Sequence, residues 1–202
     1  MDTRARLIKA AARLFAEHGF DGVSVRDIVR EARVNLAAIT YHFGSKEQLL
    51  EAVIMEKVEP LKQAGMKIAM AKLSPKDKLA TLLRNFAHQM LCRDPDLRVL
   101  FAESVRNTKT PSRQALEDMR SRNVMVAGII KEGIANGSFR KCDVDGTVWI
   151  FLGILMPYVV HQSMMEKATG RKRLSEQFVN KFVDNALSIL FDGLASKKGS
   201  AK

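Results

Sequence analysis

Side chains able to hydrogen-bond nucleic acid are closely spaced between residues 24 and 46. Arg26 can bond a guanine edge in bidentate fashion, and Asn35 and Thr40 can bond other base edges. Three apolar side chains can contact thymine methyl groups, namely those of Leu36, Ala37 and Ala38. Four further side chains suit phosphate oxygens, namely those of Ser24, Tyr41, His42 and Lys46. We therefore predict that this segment contacts double-stranded DNA.

The sequence carries no recognisable catalytic or metal-binding signature. His88, Cys92 and Asp94 are close together, but no nucleophile and base motif surrounds them. Cys92 and Cys142 lack CxxC spacing and a neighbouring Cys/His cluster, which argues against a zinc site and against a disulfide framework. We therefore predict that the protein is not an enzyme and needs no metal or cofactor.

Two short helices joined by a tight turn are predicted to position the DNA-contacting side chains. Ser24 with Asp27 three residues later is a variant of the capping box and opens the first of them. Asn35 caps the next helix, which should stop at Gly44. An amphipathic helix from Thr3 to His18 precedes both. This order predicts a helix-turn-helix motif, whose second helix lies in the DNA major groove.

The segment FAEHGFDGVSVRDIVREARVNLAAITYHFGSKEQLL resembles the N-terminal domain of the TetR family of bacterial transcription regulators. The match runs from about Arg4 to Leu50, and YHFGSKEQLL is its most specific part. The resemblance assigns the same DNA-contacting roles to the matching positions. It also implies a C-terminal helical domain that binds a small-molecule effector and forms a homodimer. The expected function is that of a ligand-responsive transcription regulator, and we expect it to be a repressor. It should bind a palindromic operator and be released from it by a small, largely apolar effector.

Several residues of this segment have an alternative interpretation. The family usually has glycine in the turn where this chain has Arg33, and a positive φ there would cost arginine about 1 kcal/mol. Alternatively, Arg33 supplies a phosphate contact. Tyr41 and His42 can instead pack between the first and fourth helices, and Arg26 can be a solvated helix charge.

Beyond the motif, apolar residues recur at spacings of three and four, so the fold class is predicted to be all-α. Ser45 with Gln48 opens a fourth helix, which Pro60 should kink or break. The uncharged stretch from Gly146 to Met165 predicts one helix buried on most sides, in preference to a membrane span. Three more helix starts are predicted at Ser74-Pro75, Asp94-Pro95 and Pro111-Ser112.

The chain is expected to divide by function into three parts. Residues 1–46 form the helix-turn-helix DNA-binding domain, residues 47–195 the effector-binding and dimerisation domain, and residues 196–202 a disordered tail. The last helix, from Ser175 to Leu194, has an apolar stripe too wide for one partner, which is typical of a bundle between two subunits. The predicted dimerisation residues are Phe178, Phe182, Ala186 and Leu190. Packing within the subunit's own core is the alternative.

Methionine and aromatic residues of the second domain can line an adaptable apolar cavity, because methionine repacks around varied shapes. The predicted ligand-binding residues are Phe86, Met90, Phe101, Met119, Trp149, Met156, Tyr158 and His161. Ordinary core packing is the alternative for each of them. The rival to the whole hypothesis is a constitutive, sequence-specific DNA-binding protein that has no small-molecule effector.

The charge of the chain agrees with a DNA-binding function but does not locate the DNA surface. The 202 residues include 33 Lys and Arg against 22 Asp and Glu, a net charge of +11. Residues 1–46 hold eight basic and five acidic side chains, so most of the surplus lies elsewhere. Charges throughout the N-terminal stretch exclude a secretory signal there, and we expect a cytoplasmic protein without a membrane partner.

Overall fold

The computed structural model describes residues 2–107, 111–170 and 174–194. Within these ranges the chain is helical and contains no β-strand, which confirms the predicted all-α class. The helices are α1 (Thr3–His18), α2 (Val25–Ala32), α3 (Ala37–Phe43), α4 (Lys46–Met70), α5 (Pro75–His88), a π-helical turn (Gln89–Arg93), α6 (Pro95–Asn107), α7 (Arg113–Ala135), α8 (Val144–Gly153), α9 (Met156–Val160), α10 (Gln162–Thr169) and α11 (Glu176–Leu194).

The chain divides into two compact units. The first unit comprises Met1–Glu59 and Asp94–Glu117, and the second comprises Pro60–Arg93 and Asp118–Lys202. Helices α4 and α7 contribute residues to both units. The functional boundary expected after residue 46 stays a prediction, because a division by packing does not test a division by function.

The core of the first unit is built on the apolar stripe of α1. Leu7, Ala11 and Phe15 are completely buried on one face of this helix. They pack in one cluster with apolar side chains of α2, α3, α4 and α6. Complete burial of a large apolar side chain contributes about 1.5–3 kcal/mol to stability. The helix-turn-helix is therefore held to its scaffold by hydrophobic packing.

Helix boundaries in the first unit follow local signals in the sequence. α1 ends where Gly19 takes a φ of 71° and donates its backbone N–H to the Phe15 carbonyl. α4 begins after Ser45, whose hydroxyl oxygen accepts a hydrogen bond from the Gln48 backbone N–H at 3.2 Å. A hydrogen bond with the Ser45 side chain also holds the pKa of the Glu47 carboxyl below its ordinary value. These capping predictions are confirmed.

Two predictions about long helices are wrong in part. α4 continues through Pro60, so the helix is not broken there, whereas the alternative of a kink stays a prediction. The stretch from Gly146 to Met165 is not one helix, because it divides into α8, α9 and α10. Pro157 lies in the first turn of α9 and lacks the N–H that a continuous helix needs, and its ring would clash with the preceding turn. No described helix is long and apolar enough to cross a membrane.

The second unit packs α11 through one continuous face. Its buried residues are Val179, Val183, Leu187, Phe191 and Leu194. The end of this helix is fixed by Arg140, whose backbone N–H donates to the Leu194 carbonyl at 2.9 Å and whose Nε donates to the Gly193 carbonyl at 2.6 Å. The expected tail, residues 196–202, lies outside the described residues.

Candidate nucleic-acid interface

The N-terminus of α2 is fixed by a complete capping box. The Ser24 hydroxyl oxygen accepts from the Asp27 backbone N–H at 3.2 Å, and the Ser24 backbone N–H donates to the Asp27 carboxylate at 3.0 Å. Hydrogen bonds from the side chain and then the backbone of Ser24 hold the pKa of Asp27 below its usual value. The Ser24 hydroxyl is therefore already bonded to Asp27, and its contact with a phosphate stays a prediction.

The turn between α2 and α3 requires a left-handed backbone at Arg33, with φ 53° and ψ 52°. Its N–H donates to the carbonyls of Arg30 and Val29 and so closes the end of α2. Its carbonyl accepts from Nη2 of Arg6 on α1 at 2.8 Å. The positive φ considered from the sequence is confirmed, and it costs about 1 kcal/mol for a side chain other than glycine.

Helix α3 presents a clearly divided surface. Ile39 and Phe43 are buried against the rest of the unit. Leu36, Ala37, Thr40 and Tyr41 are exposed. Ala38 and His42 are half-buried. An exposed face of this composition, next to a buried one, leaves the helix free to enter a DNA groove.

Tyr41 and Asn35 have different roles in this arrangement. The Tyr41 side chain is 84% exposed, so the alternative in which it packs between helices is wrong. Its ring meets the half-buried His42 ring edge-on, with centroids 4.9 Å apart. Asn35 Oδ1 accepts from the Ala37 backbone N–H at 2.9 Å and so fixes the start of the helix. The DNA contacts of these residues stay predictions.

Lys46 is bonded within the protein. Its Nζ donates to the carbonyls of Phe20 and Val23 at 2.9 and 2.8 Å, and lies 4.0 Å from the centroid of the Phe20 ring. These contacts tie the start of α4 to the loop before α2. The sequence did not indicate this role, because it depends on contacts more than twenty residues apart. The expected phosphate contact of Lys46 stays a prediction.

Arg4 lies near α3, the second helix of the helix-turn-helix motif and thus its recognition helix. The sequence analysis did not include Arg4 among the candidate DNA-contacting residues. Its guanidinium carbon lies 5.4 Å from the centroid of the Phe43 ring, at the C-terminal end of α3. Arg4 is exposed. The sequence places Arg4 in the first turn of α1. The amphipathic pattern of that helix, however, does not show which of its ends lies beside α3, so the proximity of Arg4 to α3 could not be predicted.

The eight predicted ligand-binding residues are not brought together. Phe101 belongs to the first unit and packs against its core, whereas the others belong to the second. Met90 is completely buried, and Met119 is 37% exposed. Phe86 and Met156 are half-buried, and His161 is exposed at the end of α9. A single cavity lined by all eight is therefore not supported, and their individual roles stay predictions.

Trp149 lies at a surface groove between α7 and α8. The indole is 57% exposed. The groove has a volume of about 500 Å³ and is also lined by Asn123, Val124, Ala127, Gly128, Lys131, Asp145 and Val148. Its walls come from two helices only, and Trp149 is the one of the eight predicted ligand-binding residues that lines it. Among the described residues no group of His, Cys, Asp and Glu is arranged to hold a metal ion.

The predicted dimerisation residues lie on a half-buried face of α11. Phe178, Phe182, Ala186 and Leu190 are all half-buried beside the helix's buried face. Tyr158 packs on this aromatic group, with its ring centroid 4.9 Å from that of Phe182, and its predicted contact with a ligand stays a prediction. Ile189 on the same helix is 67% exposed. A large apolar side chain so exposed in a single subunit is available to a partner surface.

An N-terminal and a C-terminal segment of this chain both match families of known proteins. Residues 7–53 match the family model for bacterial regulatory proteins of the tetR family, and residues 72–158 match a tetracyclin repressor-like C-terminal domain. The HTH-type transcriptional repressor KstR2 of Mycolicibacterium smegmatis is 31% identical over 144 residues, which cover 70% of each chain. The chain belongs to the TetR family.

The fold of this TetR-family regulator is shared with solved structures. FadR from Bacillus subtilis, in complex with stearoyl-CoA, superposes with a TM-score of 0.75 at 22% identity, covering 94% of this chain and 98% of FadR. AibR, in complex with isovaleryl coenzyme A and operator DNA, gives a TM-score of 0.67 at 17% identity, with the same coverage of each chain. The prediction of a TetR-family, helix-turn-helix transcription regulator is confirmed.

Proposed function

We propose that this TetR-family regulator is a repressor that binds a palindromic operator as a homodimer and releases it when a small, largely apolar effector binds. The main observation that supports this proposal is the exposed face of α3. Leu36, directly before α3, is 51% exposed and Tyr41 on α3 is 84% exposed, whereas Ile39 and Phe43 of the same helix are buried. The packing within the subunit leaves these side chains accessible, and a major groove can bury them.

The DNA contacts follow from the chemistry of this face. Arg26 reads a guanine edge from α2, and Thr40 reads a base edge from α3. Leu36 and Ala37 contact thymine methyl groups, which select sequence without hydrogen bonds. Tyr41 bonds a phosphate through its exposed hydroxyl. Repression follows when the operator overlaps a promoter, because the bound dimer then excludes polymerase.

Dimerisation through α11 makes the operator a palindrome. Two subunits related by a two-fold axis present two recognition helices, and their half-sites are related by inverted symmetry. The half-buried stripe and the exposed Ile189 support this interface. KstR2, at 31% identity, is a repressor by name, which supports repression in preference to activation. We expect the protein to act in the cytoplasm, where the DNA is.

An acyl-CoA thioester, whose acyl chain would be the apolar part that the site holds, is the effector class to test first. Two of the structures that share this fold were solved with stearoyl-CoA and with isovaleryl coenzyme A. An acyl chain suits an apolar site, and the anionic CoA moiety suits a protein whose net charge is +11. The ligand acts by tilting α4, because Lys46–Met70 is one helix whose N-terminal end follows the recognition helix directly.

The effector prediction is tested through thermodynamic linkage. An acyl-CoA that weakens operator binding tenfold supplies about 1.4 kcal/mol of coupling, and the operator must then weaken acyl-CoA binding by the same factor. Isothermal titration calorimetry with acyl-CoAs of increasing chain length measures the acyl-CoA affinity of the free protein and of the protein saturated with operator. CoA without an acyl chain is the control and should leave operator binding unchanged.

The rival function is constitutive DNA binding without an effector. It predicts an acyl-CoA affinity that is the same with and without operator, and an operator affinity that no acyl-CoA changes. In vitro transcription from a promoter that overlaps the recovered operator tests whether the protein represses transcription. The protein should reduce transcription from that template and leave a template with a scrambled operator unaffected. A rise in transcription would show an activator.

A further inference from the structure

The segment from residue 24 to residue 46 contains two carboxylates, and each forms an ion pair with an arginine other than Arg33. Asp27 pairs with Arg30 at 2.5 Å, and Glu31 pairs with Arg13 at 2.5 Å. Lys46 is bonded to backbone carbonyls. Arg26 and Arg33 are the cations of this segment whose side chains make no ion pair or hydrogen bond with the described residues. Both are exposed.

The turn uses the backbone of Arg33 and makes no use of its side chain. The backbone N–H closes α2, and the carbonyl accepts from the Arg6 guanidinium. A glycine would make both bonds and would adopt the φ of 53° without strain. Arginine at this position therefore lowers stability without improving the turn. Residues held in such conformations cluster at functional sites.

Arg33 is close in sequence to the exposed face of α3, which we propose contacts DNA. It lies two residues before Asn35, which fixes the start of α3, and three before Leu36, an exposed residue of that surface. An unpaired guanidinium is a five-donor group with no acceptor, and its natural partner is a phosphate. We propose that Arg33 binds a DNA phosphate beside the N-terminal end of the recognition helix. This inference rests on the proposed operator binding.

Such a contact has a distinctive energetic signature. A phosphate contact carries no sequence information, so its loss weakens specific and scrambled DNA by the same factor. Each lost contact also lowers the salt dependence of binding, with a slope change of about 0.9 per phosphate. Stability moves in the opposite direction, because replacing Arg33 by glycine removes the strain. The side chain thus favours DNA binding and disfavours the folded state.

The experiment compares Arg33→Gly, Arg33→Asn and Arg33→Lys with the wild-type chain. Asparagine tolerates the left-handed region and is uncharged, whereas lysine keeps the charge. Arg13→Ala is the control, because it removes one exposed arginine that is paired with Glu17 and Glu31 on the same unit. Melting temperature, and fluorescence anisotropy with operator and scrambled duplexes at several salt concentrations, are measured for each.

We expect Arg33→Gly to raise the melting temperature by about 2–4 °C and to weaken both duplexes several-fold. The salt slope should fall by about one per subunit for Arg33→Gly and Arg33→Asn, and by much less for Arg33→Lys and Arg13→Ala. The inference is overturned if Arg33→Gly or Arg33→Asn binds both duplexes with wild-type affinity and slope. If the wild-type chain itself binds no DNA, the proposed function fails instead.

Discussion

A Phe182→Glu, Leu190→Glu variant is expected to sediment as a monomer and to lose tight operator binding. Both side chains lie on the half-buried stripe of α11, beside its buried face. In a dimer packed through this stripe, each glutamate would be a buried carboxylate without a partner, at a cost of several kcal/mol. Analytical ultracentrifugation measures the oligomeric state, and anisotropy measures the operator affinity of the same samples.

Two further variants separate loss of the interface from loss of the fold. Ile189→Glu places one charge at a side chain that is 67% exposed in the subunit, so it disturbs only a partner surface. It should also give monomers, with an unchanged far-UV circular dichroism spectrum. A Lys181→Glu, Ser188→Glu variant adds negative charge at exposed positions elsewhere on the helix and should stay dimeric. A stable dimer of both interface variants would place the interface elsewhere.

An Arg26→Ala variant is expected to lose discrimination at one base pair of each half-site. Arg26 is exposed in the first turn of α2 and is free of carboxylate partners among the described residues. Bidentate bonding of arginine to guanine discriminates against other bases by about 1–3 kcal/mol. Competition binding with a set of single-base operator variants should show this relaxation at one position and unchanged preferences elsewhere.

Arg30→Ala is the matched control for this experiment. Arg30 lies on the same helix, but its guanidinium pairs with Asp27 at 2.5 Å and is not free to read a base. Its removal should leave every base preference unchanged. If Arg26→Ala weakens operator and scrambled DNA by the same factor, Arg26 is only a solvated helix charge, and base readout rests on Asn35 and Thr40.

The helix-turn-helix was predictable from sequence because its determinants are local. Ser24 and Asp27 form the predicted capping box, and Asn35 fixes the start of the third helix. Gly44 ends that helix with a φ of 86°, where a side chain would be strained. Each signal acts within four residues, so neither the tertiary fold nor a relative was needed to read it.

The remaining features depend on contacts that periodicity does not encode. The divided stretch from Gly146 to Met165 keeps a helical apolar pattern across its breaks, and Gly153 and Pro157 were the local signals of the interruption. The sequence could not show which of the predicted ligand-binding residues are accessible, because exposed Trp149 and buried Met90 look equally apolar there, and their roles stay predictions. The carbonyl partners of Lys46 lie 23 and 26 residues away.

Selection of bound sequences from random DNA duplexes, followed by affinity measurements on the recovered site, tests whether the protein binds a palindromic operator as a two-fold dimer. We expect an inverted repeat whose half-sites are centred about one helical turn, or a multiple of it, apart. Scrambling either half should weaken binding strongly, because both recognition helices of the dimer contribute. Recovery of a single asymmetric half-site, with affinity unchanged when the neighbouring sequence is scrambled, would contradict a two-fold repressor bound to a palindromic operator.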